Sequence, residues 1–376
     1  MSSSFSVVKP SYLENTSNIV VNGNLTVNGT VSNYVDTSLT SLPENAISFF
    51  GNFSGNEKWQ GGVLAPNGKI YCIPSLSTIV MIIDPVTNTA DTTTITGVGS
   101  ASVYKWFGGV LAPNGKIYCI PSQSDNVMII DPVTNTVDTT TISGLGGGSS
   151  SKWRGCALAP NGKIYVIPRD SSSVLIIDPV TNTADTTTIS GLSGNNKWAS
   201  GVLAPNGKIY GIPQNSTSVL IIDPVTNTAD TTTISGLSGS GKWYGGVLAP
   251  NGKIYCIPAS STSVLIIDPV TNTVDTTTIT GLTGSGKWNG CVLAPNGKIY
   301  GIPISSTSVL IIDPVTNTAD TTTISGLSGS GKWVCGVLAP NGKIYCMPYS
   351  RADVLVINTG LPKHPSWMLK PYFNKF

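Results

Sequence analysis

The chain has 376 residues, long enough for two or three ordinary domains, yet only 11% of them are charged. Lys and Arg outnumber Asp and Glu by just 21 to 19 and form no basic cluster, which excludes a nucleic-acid binder that works by neutralising backbone phosphates. No run approaches the eighteen apolar residues of a membrane-spanning helix, so no membrane span is expected.

Residues 1–10 lack a basic stretch followed by an apolar one, so no secretory signal is expected. Residues 1–40 read as a β-rich assembly arm. Asn-Gly corners recur six residues apart at Asn22-Gly23 and Asn28-Gly29, flanked by apolar Val21, Leu25, Val27 and Val31. A segment this short cannot bury its own apolar face. It needs the rest of the chain, a partner, or copies of itself; a plain hairpin or flexible arm is the simpler alternative.

From residue 41 to 359 the sequence repeats. Lys-Trp recurs with its tryptophan at Trp59, Trp106, Trp153, Trp198, Trp243, Trp288 and Trp333, spaced by 47, 47 and then 45 four times. Each copy holds four strand candidates. Strand a follows the Trp, strand b is Lys-Ile-Tyr-x-Ile, strand c is Val-Leu-Ile-Ile-Asp and strand d is Asp-Thr-Thr-Thr-Ile. Turn residues punctuate every boundary. Asn67-Gly68 and its copies should supply the positive φ values of a tight a–b hairpin. Asp84 can accept local N–H bonds where strand c ends, and Pro85 removes the next ladder donor. Four short strands every ~45 residues predict an all-β, seven-bladed propeller of four-stranded blades.

The ends of the repeat array predict how the ring closes. Seven copies run from Lys-Trp through strand c, but only six continue into strand d. The seventh stops at Val354-Leu355-Val356-Ile357-Asn358. Before Lys58-Trp59 lies a segment, residues 45–51, that includes Ile47, Phe49 and Phe50 and sits where a d strand belongs. It should supply the outer strand of the last blade, leaving no orphan edge.

The sequence resembles the YVTN-type propeller repeats. Ala249-Pro250-Asn251-Gly252-Lys253-Ile254-Tyr255 and Val264-Leu265-Ile266-Ile267-Asp268-Pro269-Val270-Thr271-Asn272 meet their pattern, and the likeness covers about residues 45–358. It departs where strand b ends in Cys-Ile-Pro or Gly-Ile-Pro. The resemblance implies a fold and leaves function open, because propellers host unrelated activities.

Little in the chain points to catalysis. The one histidine, His364, lies in a Pro-rich tail, and each Asp-Pro-Val-Thr-Asn-Thr loop offers a single carboxylate, poor for calcium. No enzyme activity, metal or cofactor is expected. The seven cysteines are expected to be free thiols, and four share one strand-b position with Val or Gly in the other blades, which suggests a small half-buried slot. The repeated Lys-Trp pair is either a stacking ring for sugars or bases, or inter-blade packing. Differences between copies concentrate elsewhere. The residue after Trp runs through Gln60, Phe107, Arg154, Ala199, Tyr244, Asn289 and Val334. The position after strand b includes Arg169, Gln214 and Tyr349. In this strand order both sets fall on the face of the b–c and d–a loops, which names a candidate interaction face.

Residues 360–376 form an aromatic tail. Val21–Thr30 resembles stretches near the N-termini of viral fibre-like and virion proteins. Leu369-Lys370-Pro371-Tyr372-Phe373-Asn374-Lys375-Phe376 resembles C-termini of proteins from large algal and amoebal DNA viruses. The resemblance implies a virion-associated component of a giant virus, made in the host cytoplasm. Its partners would be other virion proteins, or copies of itself through the arm. The competing expectation is a lectin-like propeller that binds a glycan.

Overall fold

The computed structural model describes residues 46–360; the arm residues Val21, Leu25, Val27 and Val31, and the tail with His364, lie outside them. Seven four-stranded antiparallel sheets account for every strand among the described residues. In blade one the strands are Trp59–Leu64, Ile70–Pro74, Val80–Asp84 and Thr89–Ile95, hydrogen-bonded in chain order. Strands b and c are buried on both faces, as their unbroken apolar runs require. Adjacent blades share a core. Val63, Tyr71 and Val80 of blade one pack with Trp106, Ile117 and Met128 of blade two. The last such core joins Trp59 and Ile70 to Tyr345 and Val354, so blade seven packs on blade one and the ring closes.

Closure uses the segment that the missing strand implied. Ile47–Phe50 pairs antiparallel with Val354–Asn358, with Ile47 opposite Ile357 and Phe50 opposite Val354. Phe49 stacks on Trp333 at 5.9 Å between ring centroids. The outer edge of blade seven is therefore paired, as in the other six sheets.

Three local readings change. The a–b turn is not built from two positive φ values: only Gly68 takes one, at 79°, while the Asn67 side chain accepts the Lys69 N–H at 3.0 Å. The outer strand is shorter than Asp-Thr-Thr-Thr-Ile. In blades two to six it is three residues, such as Thr136–Asp138. The Asp138 carboxylate accepts the N–H groups of Thr140 and Thr141, and that local satisfaction bends the chain out of the ladder. The shared cysteine position on strand b is not half-buried but fully enclosed, as at Cys72, Cys119, Cys256 and Cys346.

Candidate functional site: the axial cavity

Strand a lines the axis of the ring, and its first residues are irregular in every blade. The register shifts between Trp59 and Gly62, and equivalent bulges follow Trp106, Trp153, Trp198, Trp243, Trp288 and Trp333. A bulge re-aims side chains and bends the strand. Here it lies at the variable residue after each tryptophan. Inner strands also approach closely: a Cβ on Gly245 would stand 2.7 Å from the Cα of Gly290 in the next blade. Glycine there lets backbones converge while the residue before it keeps a side chain.

The tryptophans themselves are packed away, and of the seven only Trp288 reaches the lining of the axial cavity. All seven are 1–3% exposed, and each indole Nε1 donates to a backbone carbonyl twenty residues on, as Trp243 does to Ser263 at 2.8 Å. Six of the seven adjoining lysines are buried too, and Lys152 is half-buried. The Lys242 ammonium donates to the carbonyls of Gln214, Ser216 and Gly239 at 2.9–3.2 Å and lies 5.8 Å from the Trp243 ring centroid. The Lys-Trp pair therefore staples the b–c loops to the d–a loops, and the stacking-ring alternative falls away.

The variable residues come together instead. Gln60, Phe107, Arg154, Asn289 and Tyr244, from five different blades, line one cavity of about 330 Å³ at the axis. Arg169 and Tyr349, from the position after strand b, line it as well. Gln214 stands just behind: its Nε2 donates to the Tyr244 hydroxyl at 3.1 Å. Arg154 is the centrepiece. Its guanidinium carbon lies 3.9 Å from the Phe107 ring centroid and 4.5 Å from that of Tyr244. Its Nη2 donates across the axis to Asn289 Oδ1 at 3.3 Å. Burial lowers its pKa to about 10, which leaves it charged at neutral pH.

Among the described residues, the lining holds no carboxylate, imidazole or thiol. Among the described residues, no group of three or more His, Cys, Asp or Glu side chains is placed to hold a metal ion. Polar capacity is left over: Nε of Arg154, Nε of Arg169 and Oε1 of Gln214 are buried without hydrogen-bond partners. One wall was not singled out in the sequence. Tyr104, 37% exposed, lines the cavity and hydrogen-bonds through its hydroxyl to Glu57 of blade one. The signal was present in the longer 47-residue spacing before Trp106, which adds residues immediately ahead of Tyr104.

Residues 117–285 match a family model described as "Repeat of unknown function (DUF6923)". No curated protein matches the sequence. Many solved structures share the fold. A catalytically inactive virginiamycin B lyase from Staphylococcus aureus, solved with quinupristin, aligns over 83% of this chain and 98% of its own, with a TM-score of 0.67 at 8% identity. Hydrazine synthase of Kuenenia stuttgartiensis aligns over 81% and 97%, with a TM-score of 0.62 at 16% identity. The extracellular domain of a one-component system of B. thetaiotaomicron aligns over 84% of this chain and 44% of that one, with a TM-score of 0.61 at 10% identity. At these identities the likeness concerns the fold alone.

Proposed function

We propose that this seven-bladed β-propeller is a non-enzymatic recognition protein that seats its ligand or partner in the axial cavity. One observation carries the reading. The blades are near copies, yet the side chains in which they differ converge from all round the ring on a single concavity. The opposite face, made of the a–b and c–d turns, keeps nearly the same residues in every blade. A lining of guanidinium, amide, hydroxyl and aromatic groups suits binding and offers no acid–base pair.

The same lining favours a glycan as the occupant, because rings and hydrogen-bonding side chains alternate around it. A glycan array probed with labelled protein tests this. Binding that is lost in Tyr349→Ala and retained in Val270→Ser, on the opposite face, supports the cavity. Wild-type protein that binds no glycan, or variants that behave alike, count against it. Membership of a virion is a separate proposal, supported only by the terminal stretches Val21–Thr30 and Leu369–Phe376. Mass spectrometry of purified source particles tests it, and absence of the chain from them would refute it.

A further inference from the structure

Arg154 presents an electrostatic imbalance that the fold does not resolve. The side chain is 8% exposed. None of the ion pairs among the described residues includes it. The groups that bear on its charge are Tyr244, Arg169, Cys335 and Tyr349, with no carboxylate among them. Two aromatic rings, Phe107 and Tyr244, lie against the guanidinium, and cation–π contact returns only part of what desolvation costs. The in-plane N–H donors are the part left over. One reaches Asn289 at a long 3.3 Å, and Nε has no partner.

A second guanidinium lies on the same cavity. Arg169 makes one contact at 3.4 Å to Asp170, its chain neighbour, and its Nε is also unpartnered. Two arginines line the cavity and, among the described residues, no lining carboxylate faces them; Asp170 pairs with Arg169 and Glu57 bonds Tyr104 from behind, so Arg154 is the guanidinium left without a counter-ion. Buried charges persist where something pairs with them. The blades show that Arg is not needed for folding here, since Gln60, Ala199 and Val334 occupy the equivalent position.

We infer that the axial cavity binds a small hydroxylated carboxylate, the chemistry of a uronic acid residue, with the carboxylate on Arg154 and Arg169. The inference rests on the recognition reading above and specifies its ligand class. A guanidinium edge matches a planar carboxylate in a two-bond fork, which fixes orientation as well as charge. Around it, Gln60, Ser122, Asn289 and Ser305 supply donors and acceptors for hydroxyl groups. A volume of about 330 Å³ suits one small-molecule unit, such as the end of a chain, better than an extended polymer.

Isothermal titration calorimetry on the full chain tests the inference with sodium glucuronate, glucose and inorganic phosphate at constant ionic strength. Glucuronate is expected to bind at least tenfold more tightly than either of the others. Arg154→Gln and Arg169→Gln should each weaken glucuronate at least tenfold. Arg154→Gln should melt no lower than wild type, because it removes an unpaired buried charge. Glucuronate that fails to bind, or binds both variants like wild type, overturns the inference. So does phosphate that binds as well as glucuronate, which makes the site a general anion hole. Glucose that binds as tightly as glucuronate also overturns the carboxylate assignment, yet leaves recognition at the cavity standing. The recognition reading itself falls only if the glycan array is blank as well.

Discussion

The hydroxyl of Tyr210, in strand b of blade four, donates to the side chain of Asn272, in the c–d turn of blade five, at 2.7 Å. The same latch joins Tyr71 to Asn135, Tyr118 to Asn182, Tyr165 to Asn227, Tyr255 to Asn317 and Tyr345 to Asn88, at 2.5–2.6 Å. Each Asn holds a positive φ in its turn, so the residue serves backbone and seam together. Blade seven has no such turn. The Tyr300 hydroxyl accepts from Asn296, whose amide also donates to the carbonyl of Thr359. Among the described residues, the seam between blades six and seven therefore lacks the tyrosine–asparagine bond.

Tyr210→Phe is accordingly expected to cost about 1 kcal/mol, and Tyr300→Phe distinctly less, because only the first breaks an inter-blade bond. Urea unfolding of both variants measures the difference. Equal losses would contradict the latch.

Closure by Ile47–Phe50 carries a larger penalty. Removing residues 1–52 exposes the edge of Val354–Asn358 and uncovers Trp333 beneath Phe49. At about 1.5–3 kcal/mol per apolar side chain withdrawn from packing, the loss should exceed ~3 kcal/mol. A truncated protein that melts with the full-length chain would show that the ring closes without this strand.

The propeller was legible because its determinants are local. Asn-Gly turns, Asp-Pro strand ends and apolar runs repeat in phase, and one missing outer strand against one spare segment announced the closure. What escaped notice depends on how the ring brings distant residues together. The latch joins residues 62 to 64 apart, and 257 apart where the ring closes, that meet only because neighbouring blades pack side by side. Arg154 and Asn289 are 135 residues apart and meet only across the axis. The sequence marked the variable positions as one face. It did not show that bulges after the tryptophans gather them into one cavity. The outer strands were read too long because three successive threonines look β-prone, while the preceding aspartate caps them into a bend.

The buried lysines are structural, and Lys242→Met tests that directly. Burial pushes the Lys242 ammonium down to about 8, yet three carbonyls accept from it. Its replacement leaves those acceptors unpaired and is expected to cost about 2–3 kcal/mol in denaturant unfolding. A neutral result would mean that water satisfies the carbonyls as well.

Acid should unfold the protein within a defined window. Hydrogen bonds from the Thr94 hydroxyl and the Thr93 N–H hold Asp91 at about 2, and the Thr278 hydroxyl leads the same effect on Asp275. Both carboxylates ionise more readily folded than unfolded, so their contribution is full above the ordinary carboxylate value. It is lost as pH falls through about 2. Melting temperature should stay level from pH 7 to about 4.5 and then decline. Thr94→Val together with Thr278→Val should make that decline shallower; an unchanged profile would remove these aspartates from the account.

Hydrogen–deuterium exchange with and without saturating glucuronate tests most directly that recognition occurs at the axis, on the variable face. Exchange is predicted to slow in segments 104–108, 152–156 and 287–291 and to stay unchanged in the c–d turns around Val86, Val180 and Val270. Those valines are 89% exposed on the opposite face. Protection confined to those turns would contradict the account.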